Sequence, residues 1–448
     1  MKIKPAQIIV TISLACFGFL LAAHAVIPPP DGGYPGFNTA EGQNALLSLD
    51  TSTGLANTAV GWSSLKSNVD TSFNTAVGAG ALLANNADAN TATGAGALLS
   101  NTSGTFNTAV GALALFNNTA NGGNTATGGR ALFSNITGSY NTADGAFALE
   151  NNSTGSGNVG NGSQTLRENV AGNNNTATGF LALYHNTADG NTANGYGALS
   201  ANTTGENNTA NGIRALEVNT TGNANLATGV FALFNNTTGS QNTAIGGAAL
   251  ANNATGSLNV ALGDNAGGGV TTADDVIVIG AGVAGENVSN TCYIGNIFGV
   301  TSPDGVGVFV NSTGKLGTGT SSRRFKDDIK PMDETSEAIL ALQPVTFRYK
   351  KEIDPQGRSH FGLVAEDVEK VNSDLVVRDK EGKPYTVRYD QVNAMLLNEF
   401  LKAHRRVQDL EATVARQQTQ IEVLASGLQK LSAQIEVSRT GSQVAQIP

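Results

Sequence analysis

The segment "NTAVGALALFNNTANGG", residues 107–123, runs without a break into "NTATGGRALFSNITGSY", residues 124–140. Both open on N-T-A-x-G, place Leu eight residues after the first Asn (Leu115, Leu132), and place another Asn three residues beyond that (Asn118, Asn135). The opening motif or a near variant starts at Asn38, Asn57, Asn74, Asn90, Asn107, Asn124, Asn141, Asn158, Asn175, Asn191, Asn208, Asn225, Asn242 and Asn259. Ten of the thirteen spacings are seventeen residues, so the register is held along the whole middle of the chain. The Leu column runs Leu46, Leu65, Leu82, Leu98, Leu115 and on to Leu250.

A fixed period of this length is the signature of a solenoid with one coil per repeat. Each coil has one Leu and one or two Ala to bury, too little to be stable alone, and stacking turns those residues into a continuous internal column. The Asn columns are placed to form amide ladders along the axis. Gly after each N-T-A-x segment supplies a turn in which positive φ costs nothing. The segments between turns have strand length rather than helix length. Fourteen coils at roughly 4.8 Å each would make a rod of about 65 Å. The predicted fold class is therefore mostly β: a repeat-built parallel β-solenoid or β-roll, followed by a small α+β domain that ends in a long coiled-coil helix.

Composition agrees. Of 448 residues, 55 are Gly and only 6% are aromatic, which excludes one ordinary large globular core. Charge is distributed unevenly: residues 38–264 hold four basic side chains (Lys66, Arg130, Arg167, Arg214) against eleven acidic ones, whereas residues 321–448 hold nineteen of each. A boundary belongs near residue 320. The net charge of −9 argues against nucleic acid as partner.

At the N-terminus, Lys2 and Lys4 precede an apolar run, Ile8 to Ala22, and Ala23-His24-Ala25 forms an A-x-A cleavage signal. A secretory signal cleaved after Ala25 is expected, and with it a secreted or cell-surface location and a mature chain without a membrane span. Cys16 would leave with the signal, and Cys292 would be the sole cysteine of the mature chain. That precludes an internal disulfide or a cysteine metal cluster, although export would permit a bond between chains. Four scattered His give no metal-ligand spacing, and no cofactor or metal is expected. One cofactor motif is a decoy. Gly280-x-Gly282-x-x-Gly285 follows the strand-like Val276 to Ile279, but the dinucleotide fingerprint needs a helix to open there, and "ENVSNTCYIGNIFG" has no helical spacing.

On these repeats, residues 38–265 resemble the head of trimeric autotransporter adhesins of the YadA-like type, whose N-S-V-A-I-G repeats coil into a trimeric left-handed β-roll. The period here is longer, and the "GSQVAQIP" ending after a helix is not the membrane β-barrel anchor of those adhesins. The many N-x-[ST] triplets follow from repeat composition. Thr58, Thr75, Thr91 and Thr108 form a regular array like that of ice-binding solenoids, but a solvated, hydrogen-bonding strand face is the preferred reading of them.

After Ser321 the chain reads as an α+β module. Asp333 to Leu342 is a short helix with acidic residues in its first turn, ended by Pro344. "VTFRY", "DLVVRD" and "YTVRY" read as strands, and "HFGLVAEDVEKV" passes from strand into helix. From about Gln391, Leu396, Phe400, Ala403, Val407, Leu410, Val414, Gln417, Ile421, Leu424, Leu428, Leu431 and Ile435 alternate in steps of three and four, a coiled-coil seam with Gln417 as a polar layer. The seam shows association; by itself it does not choose between dimer and trimer.

At these residues a second resemblance is specific. Ser321 to about Leu410 is similar to the intramolecular chaperone domain of phage endosialidases and tail spikes, also found in bacterial surface fibres and in myelin regulatory factor. The family motif S-D-x-R-x-K-x-x-I meets Ser321-Ser322-Arg323-Arg324-Phe325-Lys326-Asp327-Asp328-Ile329, and departs only at Ser322, where Asp is usual. "FGLVAEDVEKV" and the terminal helix match the other recurrent blocks. The resemblance implies a homotrimer whose terminal domain assembles the fibre and then removes itself, with Ser321 as nucleophile, Lys326 as general base and Thr320–Ser321 as the bond cut. A serine hydroxyl needs a neighbour to take its proton, and lysine does so once burial and nearby cations favour its neutral form. Arg323 and Arg324 are candidates to assist or to stabilise the oxyanion, and His360 lies beside a recurrent block. Two alternatives stay open: Ser322 as the nucleophile, or a domain that keeps only its chaperone role.

The expected division is a signal peptide at 1–25, a linker at 26–37, the solenoid at 38–265, a Gly-rich β connector at 266–320, the chaperone and auto-protease domain at 321–390, a coiled-coil helix at 391–438 and a flexible tail at 439–448. The expected function is an exported, trimeric, adhesin-type fibre, with a host-surface glycan or protein as a candidate partner. The alternatives are a non-cleaving structural or adhesive fibre and an ice- or glycan-binding solenoid.

Overall fold

In the computed structural model, which describes residues 34–444, sixteen three-residue strands form one parallel sheet in strict chain order, from β1 (Thr39–Glu41) to β16 (Cys292–Ile294). The expected signal segment, with Cys16, lies outside the described residues. Pairing is like with like: Thr108 stands opposite Thr125, Ala109 opposite Ala126 and Val110 opposite Thr127. Within each T-A-x strand the Ala points inward and is buried, while the residues on either side face out, the two-residue alternation of a half-buried strand.

Three internal columns hold the coils together. The Leu column from Leu65 to Leu250 is fully buried, with Ala one residue before it in most coils. Both Asn columns are buried as well, and their amides form the expected ladders. The first Asn of a coil uses its backbone: Asn124 N–H donates to Asn107 Oδ1 at 3.1 Å, and Asn141 N–H to Asn124 Oδ1 at 3.0 Å. The other column bonds amide to amide, Asn135 Nδ2 to Asn118 Oδ1 and Asn152 Nδ2 to Asn135 Oδ1, each at 2.9 Å. The two columns meet at one carbonyl, because Asn124 and Asn135 both donate to Gly138 O, at 3.0 and 2.9 Å. Buried polar groups that saturate one another in this way avoid the roughly 1–3 kcal/mol that each unpaired one would cost.

The glycine after each strand is required twice over. Gly111 has φ +135°, and a Cβ added to it would lie 2.5 Å from the carbonyl oxygen of Gly128 in the next coil. The Leu column is less expected: Leu115, Leu132 and Leu149 all have φ near +50°, in the left-handed region. An L-residue there costs on the order of 1–2 kcal/mol, and full burial of a leucine returns about 1.5–3 kcal/mol. The repeat therefore places leucine where local preference asks for glycine, because the core needs the side chain more.

The solenoid extends past its expected end at residue 265. The ladder continues through β15 (Ile277–Ile279) and β16, which fall in the stretch expected to be a connector. Val276 stands where Asn stood: its N–H donates to Asn259 Oδ1 at 2.9 Å, and Val276 and Val278 fill the core. Backbone stacking does not depend on the N-T-A motif once a coil below presents its edge. Gly280, in the decoy fingerprint, continues the glycine column at φ +125°, and turn rather than helix follows it.

By its contacts the chain divides after Val300, so residues 301–448 form a separate unit. It opens with an exposed antiparallel hairpin, β17 (Val308–Val310) with β18 (Leu316–Thr318). The expected helix near Asp333 is a 3-10 helix, Asp333–Ala341. Two more antiparallel pairs follow, β19 (Val345–Phe347) with β20 (His360–Gly362) and β21 (Val376–Arg378) with β22 (Pro384–Val387). Helix α1 (Ala365–Val371) lies between these pairs in sequence. The last element is the long helix α2 (Tyr389–Val444), which reaches past the expected start of a flexible tail at residue 439. Val368, Leu375, Val376, Val387 and Met395 are the buried core of this unit.

Candidate functional site

The residues 319–322 form an exposed link between β18 and a single 3-10 turn, Arg323–Phe325. Ser322 precedes the turn in extended conformation, with φ −65° and ψ 138°, and its side chain does not cap it. The turn is closed by Phe325 N–H to Ser322 O at 3.0 Å and Lys326 N–H to Arg323 O at 3.1 Å. Arg324 lies over the Phe325 ring, its guanidinium carbon 4.6 Å from the centroid. The sequence thus places the Thr320–Ser321 bond on accessible backbone, one short turn away from Lys326.

Ser321 and Lys326 are both exposed, and among the described residues no hydrogen bond or ion pair joins them. The single chain presents the two groups without assembling them. A lysine base requires desolvation or neighbouring cations, and an exposed side chain has not been desolvated.

The unit does contain a built serine–lysine contact, elsewhere. Ser336, fully buried on the 3-10 helix, is bonded to Glu399 and accepts from Asn398 Nδ2 at 2.7 Å; Lys402 Nζ lies 3.5 Å from its hydroxyl. Lys402 also bonds Glu399 at 2.8 Å and Glu337 at 3.3 Å. The Glu399 carboxylate raises the Lys402 ammonium above the ordinary lysine value, and Lys402 and Ser336 together hold Glu399 below the usual carboxylate range. A lysine stabilised as a cation cannot take a proton from serine. This network instead fastens the 3-10 helix to α2. It was not visible in the sequence, because its partners are 62 to 66 residues apart.

His360 has a comparable structural setting. It stacks on Phe347 with centroids 5.6 Å apart, meets Tyr349 edge-on at 5.1 Å, and places Nε2 3.8 Å from Asp354. The Asp354 carboxylate is buried in its own turn. It accepts the backbone N–H groups of Arg358 at 2.9 Å and Gln356 at 3.2 Å, bonds that keep it below the usual carboxylate range. Nothing in this arrangement connects His360 to Ser321.

The other conspicuous feature is uncovered apolar surface. Along α2 the seam residues Leu396, Phe400, Val407, Leu410, Val414, Ile421, Leu424, Leu428, Leu431 and Ile435 are all exposed. So are Val308, Phe309 and Val310 on the hairpin, and Phe325, Ile329, Leu340 and Phe361. Uncovered apolar residues repeated along a heptad seam mark an interaction face between helices. Among the described residues no helix is long and apolar enough to cross a membrane.

Residues 321–377 match the family model described as the chaperone of endosialidase, and the match starts at Ser321 itself. This segment is a C-terminal intramolecular chaperone domain. No curated protein matches the chain.

Proposed function

We propose that this chain is the precursor of an exported, homotrimeric surface fibre of adhesin type, in which the solenoid is the lasting product and residues 321–448 are a removable assembly chaperone. The observation that carries this reading is the chaperone match beginning at Ser321, on a unit whose apolar seam is uncovered in the single chain. Three parallel α2 helices cover that seam, and the charge boundary falls where the fibre would be released.

In this reading Ser321 and Lys326 act only after assembly. Association of three copies buries the exposed 321–330 segment and supplies the desolvation that Lys326 needs to accept the serine proton. Ser321 Oγ then attacks the Thr320 carbonyl carbon, and the Thr320–Ser321 C–N bond breaks as the ester C–O bond forms. The released amine of Ser321 takes up a proton. Water hydrolyses the ester to a Thr320 carboxylate and a free Ser321 hydroxyl, so each chain turns over once. Arg323 and Arg324 lie on the turn between the two residues, and in this reading they are the candidates to meet the oxyanion once the copies have assembled.

N-terminal sequencing of the fragments from the expressed full chain tests this. A new N-terminus at Ser321 is expected, absent in Ser321→Ala and in Lys326→Ala while both variants keep the mass of the trimer. A full chain that stays intact in wild type and variants alike, yet is trimeric, overturns the protease and leaves a non-cleaving fibre.

A further inference from the structure

Asn is followed by Gly at four places in the chain: Asn121–Gly122, Asn161–Gly162, Asn194–Gly195 and Asn211–Gly212. Asparagine is thermally labile, and most so before glycine, whose nitrogen approaches the amide with no side chain of its own in the way. The reaction requires that nitrogen to be free of other bonds. In the last three pairs it is engaged as a rung of the parallel ladder: Gly162 N–H donates to Asp144 O at 2.7 Å, Gly195 N–H to Thr178 O at 2.8 Å and Gly212 N–H to Asn194 O at 2.8 Å. Gly122 instead lies outside the strands, between Asn118 and Asn124. At the same place in the next two coils, Ser139 N–H donates to Ser156 Oγ at 3.1 Å and Ser156 N–H to Asn173 Oδ1 at 2.9 Å. Gly122 N–H has no such acceptor among the described residues.

We infer that Asn121 is the residue at which the folded solenoid modifies itself, by condensation of its side chain with the Gly122 backbone. The Gly122 nitrogen gives its proton to a base in solution and attacks Asn121 Cγ. The bond from Cγ to Nδ2 breaks as the new C–N bond forms, and Nδ2 leaves as ammonia, taking a proton back from solution. Water then opens the succinimide at either carbonyl, leaving aspartate or isoaspartate, so that water is consumed and ammonia released. The site is independent of any cleavage at Ser321. Exposure alone would choose differently, since Asn161 and Asn194 are exposed whereas Asn121 is half-buried with its amide bonded to Thr137 O. Freedom of the backbone nitrogen, rather than access to the side chain, selects the site. The place also matters to the fold. Asn121 O accepts from Asn107 Nδ2 at 3.2 Å and from Asn118 Nδ2 at 3.1 Å, so both buried ladders meet on it as they meet on Gly138 O in the next coil. Isoaspartate routes the main chain through the former side chain and turns this carbonyl into a carboxylate on a branch. The two amides lose the fixed acceptor that joins them, and the coil opens more readily.

The full chain is kept folded in mildly alkaline buffer over weeks, sampled, digested at low pH and mapped by mass spectrometry with fragmentation that separates aspartate from isoaspartate. A portion unfolded in urea is the reference, and in it every Asn–Gly pair should convert at a similar rate. In the folded chain Asn121 should convert at least several-fold faster than Asn161, Asn194 or Asn211, with isoaspartate among its products. Conversion of Asn161 or Asn194 as fast as Asn121 overturns the inference. So does a folded chain in which every pair stays intact while the unfolded portion ages. Backbone amide exchange across residues 107–124 should be faster in the aged chain than in Asn121→Asp, which changes the side chain and keeps the main-chain carbonyl. Equal exchange in the two overturns the role given to that carbonyl.

Discussion

The solenoid and the unit after it solve burial in opposite ways. From Asn57 to Asn259 the coils bury their own columns: Leu, Ala and both Asn columns fall to 1% exposure or less inside a single chain. In residues 301–444 five side chains make the buried core, and a helix of 56 residues carries its whole seam in the open. The first region repeats one small solution, so its stability is a sum of neighbour contacts along one axis. The second is left unfinished by its own sequence, since its apolar residues are spaced for partners outside the chain. A region that folds through neighbours one coil away fits the proposed lasting fibre, whereas a region with its seam uncovered in the single chain fits the proposed assembly role.

The sharpest way to break this comparison is to charge the seam. Leu410→Asp combined with Leu424→Asp changes two side chains that are already exposed in the single chain, so any large effect must come through other copies. Each leucine buried between helices contributes about 1.5–3 kcal/mol per chain, and a carboxylate in its place would be buried unpaired. The double variant is expected to sediment as a monomer at concentrations where the parent assembles, to show no new N-terminus at Ser321, and to keep the hydrogen-exchange protection of its central coils. Wild-type assembly of the double variant would show that the seam is not the contact.

A smaller effect sharpens the other half. Leu132 is fully buried with φ +51°. Leu132→Ala is expected to cost about 2–5 kcal/mol, read locally as faster amide exchange in the coils next to it. Leu132→Gly should be no worse than the Ala variant, because glycine escapes the left-handed penalty of on the order of 1–2 kcal/mol that alanine keeps. In an ordinary core the Gly variant would be the weaker of the two.

These residues also show how far the sequence could be read. The Leu and Asn columns were legible because stacking makes like residues touch like residues, so spatial contact is printed as sequence period. The left-handed backbone of Leu132 was not, since nothing in a leucine side chain announces positive φ. Val276 to Ile279 read as a strand but not as a coil of the solenoid, because Val276 and Val278 replace the Asn and Ala of the motif while their backbones go on pairing. In the terminal unit, Ser321 and Lys326 were found as a motif, and in the single chain both side chains are exposed and unjoined. The contact that is built, Ser336 with Glu399 and Lys402, depends on tertiary approach of the 3-10 helix to α2, which no local pattern encodes.

The mildest expected difference is one of acid sensitivity. Glu399 and Asp354 both hold their carboxyl groups below the usual range, Glu399 through Lys402 and Ser336, Asp354 through the N–H groups of Arg358 and Gln356. A depressed folded value means that each group's contribution is fully present above the ordinary carboxylate pKa of about 4 and is lost as pH falls through the lower folded value. The coils from Asn225 to Asn259 are tied by Asn amides and leucines, which do not titrate; elsewhere in the solenoid Glu150 is buried against Arg130 and Arg167, and Asp50, also held low by Ser52, caps an exposed turn. Lowering the pH below about 4 should therefore speed amide exchange around Asp333–Ala341 and the first turns of α2 before it does so at Asn225–Asn259, coils that carry no charged side chain. In Glu399→Gln the acid step at the 3-10 helix should shrink, with the Ser336 and Lys402 contacts weakened at neutral pH instead. Equal acid midpoints in both regions would mean that the amide ladders and the ion-paired network respond to protons alike, and the division drawn between the two regions would not extend to their electrostatics.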